Sequence, residues 1–266
     1  MLGRTSRYGR RRVWLYLLCS LIILFLIAPT VIVLPMSLSG GPFLQFPPHD
    51  LSFRWYEAYA NSIEWRSATT VSLKVALLTV ALSMPLGVAA AYGIERAGGR
   101  LATAILIALT SPMIIPVIFV GIGAFFLYAR LNLLYTITGL VLAHVTLALP
   151  FVIALTLSAL KGFDERQERA ARSLGASRIY AFFTITLPQI GFSLAAAALL
   201  AFLTSFDEVI IAFLISGGEN ETLTRRMFLS LRDRLDPTIA AISSILILVS
   251  IVIVLLTQVL QNRRQD

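Results

Sequence analysis

Six long apolar runs, separated by short polar stretches, constrain this chain more than any other feature of its sequence. Hydrophobic residues make up 58% of its 266 residues and charged residues 14%, which is too little charge for a soluble domain of this size. A helix of about 20 apolar residues crosses a bilayer, and each run is at least that long. The sequence therefore predicts an all-α polytopic membrane protein with six transmembrane helices. These spans cover about residues 13–37, 68–93, 102–128, 134–158, 189–216 and 238–260.

The polar stretches divide the chain into predicted segments. Residues 1–12 form a basic tail, 13–37 the first transmembrane helix and 38–67 a segment that precedes the core. The five remaining spans form the core, residues 68–260, and residues 261–266 form a short tail. The first run is too long for a signal peptide and lacks a convincing cleavage site, so we expect it to remain as a span.

Positive charges predict which side of the membrane each loop faces. Fourteen Lys and Arg residues lie in the two tails and in the loops after the second and fourth spans, against seven in the other three loops. Because Lys and Arg are retained on the cytoplasmic side, we expect both termini and the loop 161–188 in the cytoplasm, and residues 38–67 on the periplasmic side. Topology thus explains the net charge of +8, and we do not expect binding to nucleic acid.

The longest polar interruption in the second half of the chain, residues 161–188, carries local signals for two short helices with a break. Asp164 can cap the first helix, and Gln167 stands at the spacing of a capping box. Gly175 can end that helix, because glycine enters the left-handed conformation at low cost. Ser177 can then cap the second helix.

Small residues bordered by arginine give the first of these helices the surface of a docking element. Ala170 and Ala171 are flanked by Arg169 and Arg172, which are neighbours at helical spacing. A short helix of this kind suits a groove of another protein. The alternative is a solvated loop whose capping residues and glycine only begin and end short helices. The local signals alone leave both interpretations open.

A pair of alanines, a glycine and an Ile-x-Leu-Pro sequence occur in this loop at fixed spacing. They are Ala170, Ala171, Gly175, Ile185, Leu187 and Pro188. This arrangement resembles the EAA loop of bacterial ABC importer permeases, and the resemblance implies a type I ABC importer permease fold. In that family the loop is a cytoplasmic coupling helix that sits in a cleft of the ATPase. The coupling residues implied here are Glu168, Arg169, Ala170, Ala171, Arg172, Gly175, Ile185, Leu187 and Pro188.

One position departs from the motif. Where the family has a glutamate before the two alanines, this chain has Arg169, and the nearest carboxylate is that of Glu168. A shift of one residue moves the charge by about 100° around a helix. We therefore expect Glu168 or Arg169 to pair differently from the glutamate of the family.

Two adjacent carboxylates, Asp207 and Glu208, are the only acids within any predicted span. An ionisable group inside a span costs roughly 2.5–3.5 kcal/mol on insertion scales and usually faces a cavity. In a continuous fifth span both acids would flank the Thr204 face in the outer half of the membrane. We expect them to form a cation-attracting site in the substrate pathway, together with Thr204 and Phe206. The alternative is an internal ion pair, either with Lys74 or with a partner subunit.

Longer pieces of the sequence narrow the resemblance. LKGFDER at 160–166, LTSFDEVIIAFLISG at 203–217 and LRDRLDPTIAAIS at 231–243 are similar to the second permease subunit of spermidine/putrescine importers. The resemblance implies a linear polycation as substrate, whose amines suit carboxylates beside an aromatic ring such as that of Phe206. Members of the subfamily also carry other amines, amino-acid-like solutes and opine-like compounds, so these substrates stay open as alternatives.

The resemblance also implies the partners. They are a homologous permease subunit, two cytoplasmic ATPase subunits and an external substrate-binding protein, assembled at the inner membrane of a bacterium. The two lysines of the chain, Lys74 and Lys161, do not lie in a P-loop sequence. We therefore expect ATP and Mg²⁺ on the separate ATPase chain, and no cofactor, metal ion or catalytic residue in this one.

Two other classes of function fit fewer of these features. An ion-driven secondary transporter would relay protons through Asp207, Glu208 and His144 and would contain an inverted repeat, which the sequence does not show. A membrane-embedded enzyme needs a nucleophile–base pair or a metal site, for which two acids and one histidine within the spans are too few. For His144 we favour hydrogen-bonded packing over a place along a transport path.

Overall fold

Helices account for all the regular secondary structure in residues 13–233 and 236–262, the parts of the chain that the computed structural model describes. The predicted all-α class is confirmed. The basic tail 1–12 and residues 263–266 of the second tail lie outside the described residues. The helices are α1 Val13–Ser37, α2 Arg54–Asn61, α3 Ile63–Ala97, α4 Gly99–Thr110, α5 Val117–Leu131, α6 Ile137–Gly162, α7 Glu165–Ser173, α8 Arg178–Ala181, α9 Leu187–Gln189, α10 Gly191–Phe206, α11 Ile210–Ile215, α12 Leu223–Asp233 and α13 Thr238–Asn262.

Three of these helices, α1, α3 and α6, are each long and apolar enough to cross a membrane. Two further candidates are bent pairs. Gly99–Met113 meets Val117–Leu131 at 96°, and Arg178–Gln189 meets Gly191–Phe206 at 78°. Helix α13 is apolar from Thr238 to Val252. The described helices therefore hold three spans, or five if each bent pair counts as one, and the predicted number of six stays a prediction.

Two predicted spans are interrupted, and for the fifth span this corrects the expectation of a continuous helix. The span predicted at 102–128 contains the short 3₁₀ turn Ser111–Met113 and bends before Val117, because Pro112 and Pro116 cannot donate the backbone hydrogen bonds of a helix. The span predicted at 189–216 ends as a helix at Phe206 and resumes only at Ile210. The acids Asp207 and Glu208 lie in this second break.

Residues 64–228 form one compact unit, with α6 at its centre. Helix α6 is more buried than α1 or α3 and packs against α4, α5, α10 and α11. Val75, Leu140 and Ile211 are fully buried in one core cluster, with Ile215 beside them. Because lipid tails are as apolar as these side chains, their burial stabilises the packed helices through van der Waals contacts and not through removal from water.

Small residues let α3 and α10 approach α6 closely. Ala197 and Ala201 of α10 are fully buried in a cluster that also contains Val152 of α6. At Gly87 of α3, an added Cβ would lie 2.6 Å from the Cγ1 atom of Val152. Any larger residue at position 87 would push the helices apart. Close packing through small side chains is the usual way in which helices associate in membranes.

The second compact unit combines the first helices of the chain with the last. Within its described part, α13 packs against α1 and α2. The Tyr56 hydroxyl of α2 lies 2.6 Å from the Ser37 hydroxyl of α1 and 2.6 Å from the Ser244 hydroxyl of α13. One tyrosine thus joins three helices by hydrogen bonds. The apolar side chains of α1 are largely exposed, as expected for a helix that faces lipid or another subunit.

Candidate functional site

The loop 161–188 folds as two short helical pieces with a sharp turn, as its sequence predicts. The Asp164 carboxylate accepts a hydrogen bond from the backbone N–H of Arg166 at 3.0 Å and so begins α7. After α7, Gly175 has a φ of +97°. The Ser177 hydroxyl then accepts from the Tyr180 N–H at 3.2 Å and begins α8. These three predictions are confirmed.

The predicted capping box is wrong. Gln167 does not return its side chain to the backbone of Asp164. Its amide oxygen instead accepts a hydrogen bond from the Gln189 side chain at 2.6 Å. This contact joins the two ends of the loop, which are 22 residues apart in sequence, and a tertiary partner thus takes the place of a local one.

Glu168 of α7 is buried, with 3% of its surface exposed. Its carboxylate accepts hydrogen bonds from the Tyr92 hydroxyl at 2.6 Å and from the Arg96 guanidinium at 2.5 Å, both on α3. A third hydrogen bond, of 3.0 Å, comes from the Thr186 hydroxyl. A buried charge is tolerated when it is paired and its oxygens are hydrogen-bonded, and both conditions hold here.

Arg96 also binds a second acid of α7. Its guanidinium lies 2.6 Å from Glu165, so that one arginine at the end of α3 holds two carboxylates one turn apart. Tyr92 adds packing to this contact, because its ring lies edge-on to Phe182 with centroids 4.7 Å apart. We call Tyr92, Arg96, Glu168 and Thr186 the α3–α7 latch. The latch fixes α7 to the end of a membrane-spanning helix.

The pKa of Glu168 lies below its ordinary value, although the carboxyl is buried. Burial by itself would raise this pKa, because it disfavours the charged form. Hydrogen bonds from Tyr92 and Thr186, with the positive charge of Arg96, outweigh burial and lower the pKa. The carboxylate therefore stays ionised at neutral pH, and the latch is an ion pair as well as a set of hydrogen bonds.

We expect the contribution of Glu168 to stability to disappear at low pH. Because its pKa is lower in the folded state, this contribution is complete above the ordinary glutamate pKa of about 4.3 and is lost as the pH falls through the lower folded value. The melting temperature of the wild type should exceed that of Glu168→Gln by a constant amount from neutral pH to about pH 5, and the difference should shrink below about pH 4. Identical melting temperatures at neutral pH would contradict this assignment.

Arg169 stands on the outside of the same helix. It is exposed and forms an ion pair with Glu165 at 3.2 Å. Ala170 and Arg172 are exposed as well, and Ala171 is half-buried. Glu168 thus pairs inward with α3, and Arg169 pairs along the helix surface. That this pairing differs from that of the family glutamate stays a prediction.

The last motif residues connect the loop to the core. Ile185 lies in a single π-helical turn, Phe182–Thr186, and is half-buried. Leu187 packs against the core cluster of Val88 and Ala148. Pro188 stands in the first turn of α9, where its missing N–H costs no hydrogen bond. The chain then bends by 78° into α10.

The two acids lie between α10 and α11. Asp207 is the residue after the last turn of α10, and its carboxylate is exposed to the surroundings of the chain. The half-buried Glu208 accepts a hydrogen bond from the Ile211 N–H at 2.8 Å with its carboxylate and another from the Thr224 hydroxyl at 2.8 Å with its backbone carbonyl. The acids therefore do not flank the Thr204 face of one helix, because the helix ends before them.

Aromatic residues accompany these acids. The ring of Phe206 is stacked on that of Phe202, with centroids 5.6 Å apart and planes 13° from parallel. Thr204, the other predicted pathway residue, is half-buried. Lys74 is exposed, and among the residues that the structure describes it forms no ion pair with Asp207 or Glu208. The alternative of an internal pair with Lys74 is therefore not what the structure has.

His144 is a packing residue, as favoured from the sequence. It is buried in α6, and its Nδ1 atom lies 2.8 Å from the Ser205 hydroxyl. Ser205 in turn donates to the Thr79 hydroxyl at 3.3 Å. This small network joins α6, α10 and α3 through Ser205, which lies two residues before Asp207. It therefore holds the end of α10 in place.

Sequence reasoning missed the partners of Glu168. Tyr92 and Arg96 stand one helical turn apart at the end of α3. In the sequence analysis Arg96 counts only as one of the positive charges after the second span. One signal was available: Arg96 and the acids of the loop 161–188 are predicted on the same side of the membrane. Thr186 lies inside the Ile-x-Leu-Pro sequence at the variable position, where the motif gives no information.

A family comparison identifies the chain. Residues 83–265 match the family described as "Binding-protein-dependent transport system inner membrane component". The chain belongs to this family. The permease is thus an inner-membrane subunit of an ABC importer, and such subunits are not themselves catalytic.

Relatives of the permease are found among polyamine importers. It is 30% identical over 212 residues to the spermidine/putrescine transport system permease protein PotC of Haemophilus influenzae, covering 80% of this chain and 82% of that one. It is 27% identical to PotC of Escherichia coli K12 over 260 residues, covering 98% and 95%. It is 31% identical to the putrescine transport system permease protein PotI of the same organism over 206 residues, covering 74% and 72%.

Solved structures share the fold of the permease. A bacterial ABC transporter involved in the import of the acidic polysaccharide alginate superimposes with a TM-score of 0.71 at 16% identity, over 98% of both chains. The bacterial alginate transporter in complex with its periplasmic protein, bound to an alginate pentasaccharide, gives a TM-score of 0.75 at 18% identity, again over 98% of both chains. The permease therefore has the fold of ABC importer permeases.

Proposed function

We propose that this permease forms half of the membrane pathway for a small cationic solute of the polyamine class, such as spermidine or putrescine. The relatives named above transport these compounds according to their names. The fold alone does not decide the charge of the substrate, because the alginate importer of the same fold carries an acidic polysaccharide. The proposal of a cationic substrate rests on the side chains at the break between α10 and α11.

The observation that supports it best is the exposed carboxylate of Asp207 at the end of α10. A helix carries partial negative charge at its C-terminus, and Asp207 adds a full negative charge at that point. Glu208 is compensated, because it caps the positive N-terminus of α11. Within the part of the chain that the structure describes, Asp207 has no such compensating partner, and a visiting amine would supply one. The Phe202–Phe206 stack offers aromatic faces to the same cation.

The proposed machine has two permeases and two ATPases. This permease pairs with a homologous one, the ATPase subunits bind ATP and Mg²⁺ in the cytoplasm, and an external binding protein delivers the solute. Both termini and α7 lie on the cytoplasmic side in this arrangement. ATP binding draws the two coupling loops together and shifts the population from inward-open to outward-open states.

Helix α10 connects the coupling loop with the proposed substrate site at Asp207. Helix α10 begins at the bend after the coupling loop and runs 16 residues to Phe206, about 24 Å at the rise of an α-helix. The latch fixes α7 to α3, and Leu187 fixes the end of the loop to the core. We therefore expect a movement of α7 to reach the end of α10 through these packed helices and to change the surroundings of Asp207.

We expect the double variant Asp207→Asn with Glu208→Gln to transport a cationic amine at least about tenfold more slowly, because the negative charge that holds the cation is lost. The amide introduced at position 208 keeps an oxygen that can accept from the Ile211 N–H, so the start of α11 is preserved. Uptake of labelled putrescine and spermidine into vesicles with the assembled complex measures the effect. Glu219→Gln, which removes an exposed carboxylate from the loop after α11, is the matched control.

Full uptake by the double variant would make these acids structural. The substrate class itself is tested by the ATPase activity of the complex with its binding protein, in lipid, against a panel of amines. Stimulation by a polyamine at micromolar concentration supports the proposal. Stimulation only by another amine, an amino-acid-like solute or an opine-like compound keeps the importer and changes the substrate, whereas transport without ATP would indicate an ion-coupled transporter.

A further inference from the structure

Three arginines form an exposed stripe along α7. Arg166, Arg169 and Arg172 lie three residues apart, so that successive members are neighbours on the helix surface, and all three are exposed. In the part of the chain that is described, Arg166 and Arg172 form no ion pair. Arg169 forms only the exposed pair with Glu165, and exposed pairs of this kind hold weakly.

Both acids of α7 are engaged in ion pairs with arginines. Glu168 is buried in the α3–α7 latch. Glu165 shares its carboxylate between Arg96, at 2.6 Å, and Arg169, at 3.2 Å. The surface that α7 offers to a partner is therefore positively charged, although the helix contains two glutamates.

An apolar residue stands at the end of the stripe. Leu174 follows α7 directly and is 90% exposed, a position that is unfavourable for leucine in water. Ala170, in the middle of the helix, is also exposed and allows the close approach of another surface. Helix α7 has nine residues and ends in the turn at Gly175. A short helix suits a protein groove, and α7 has no large apolar side chain of the kind that an interfacial helix buries in a membrane.

We propose that α7 docks into an acidic groove, in which carboxylates of the ATPase face Arg166, Arg169 and Arg172 and an apolar depression receives Leu174. This inference rests on the proposed function, which assigns α7 to the ATPase. The negative charge proposed for the groove follows from position 169, where the family motif has a glutamate and this chain has an arginine. The ATPase that serves this permease is therefore distinguished by charge from one that meets a glutamate at this position.

Zero-length cross-linking tests the proposal on the intact complex. Arg169→Lys keeps the charge and adds a primary amine, which a carbodiimide joins to a carboxylate in direct contact. We expect this variant to cross-link to the cognate, co-purified ATPase subunit, as should Arg166→Lys or Arg172→Lys. Arg130→Lys, at an exposed position in the last turn of α5, should not, and the wild type gives the background from Lys161. Absence of a cross-link from all three positions, in a complex with normal ATPase stimulation, would overturn the proposal.

Charge reversal separates the possible partners. Arg166→Glu should weaken ATPase binding to the permease pair at least about tenfold, because like charges then face each other, while an acid in the first turn still suits the helix. Arg130→Glu should have no effect. The same loss is expected in nanodiscs with and without phosphatidylglycerol. A loss confined to phosphatidylglycerol discs would assign the stripe to anionic lipid and overturn the acidic groove, and a wild type that binds no ATPase would contradict the proposed function instead.

Discussion

Replacing Arg96 by methionine is expected to destabilise the permease by about 3–5 kcal/mol, because the buried Glu168 would lose its positive partner. Arg96 has little exposure and joins α3 to both acids of α7. Without it the Glu168 carboxylate keeps only the hydrogen bonds from Tyr92 and Thr186, so its pKa should rise as burial dominates. The thermal midpoint of the purified complex should fall, together with ATPase stimulation by the binding protein.

A second variant separates loss of charge balance from loss of the helix contact. Methionine at both positions 96 and 168 should recover most of the stability, because apolar side chains of similar volume replace a buried ion pair with little or no loss. Arg100→Met, at an exposed position after the end of α3, should behave as the wild type. If Arg96→Met and Arg100→Met had equal midpoints, the latch would contribute nothing to stability.

The residues that begin and end the short helices were the most predictable part of the site. Asp164, Gly175 and Ser177 act on backbone groups within three positions of themselves, so a single sequence contains all the necessary information. Gln167 fails for the opposite reason. Its partner, Gln189, is far along the chain, and a capping box competes with any tertiary hydrogen bond of similar strength.

The direction in which Glu168 points could not be derived from the loop alone. The sequence indicates that the charge of the motif has moved by one residue, and hence by about 100° around the helix. Whether that rotation turns the carboxylate inward depends on where α3 ends, since Tyr92 and Arg96 precede Glu168 by more than 70 residues. Only the packing of α7 against α3 brings these groups together.

The break at Asp207 also has no local signal. The residues from Phe206 to Ile210 include neither proline nor glycine, and their apolar surroundings favour a continuous helix. Contacts that hold the break come from outside it. Glu208 caps α11, and Thr224, 16 residues later, donates to the Glu208 carbonyl. Irregular backbone inside a membrane protein occurs where the protein itself satisfies the freed polar groups, and this break meets that condition in part.

Valine at position 175 is expected to uncouple ATP hydrolysis from transport. Gly175 has a φ of +97°, which a β-branched residue adopts only with strain of about 1–3 kcal/mol. No neighbouring atom lies within 4 Å of an added Cβ, so the effect comes from the backbone and not from crowding. The strain would be relieved by changing the turn, which displaces Leu174 and the arginine stripe relative to α8. Each 1.4 kcal/mol of this strain lowers the population of the competent turn about tenfold relative to the altered one. We therefore expect stimulated ATPase activity and uptake to fall about tenfold or more.

A series of substitutions at position 175 gives the sharpest test of the role of this turn. Asparagine tolerates the left-handed region better than other residues with a side chain, so activity should decrease in the order glycine, asparagine, alanine, valine. Gly162→Val is the control, because Gly162 has no positive φ and likewise no atom within 4 Å of an added Cβ. A valine variant with full stimulation and uptake would show that the turn is dispensable. A loss that follows the order at position 175 and is absent at 162 would tie coupling to the backbone conformation of this one residue.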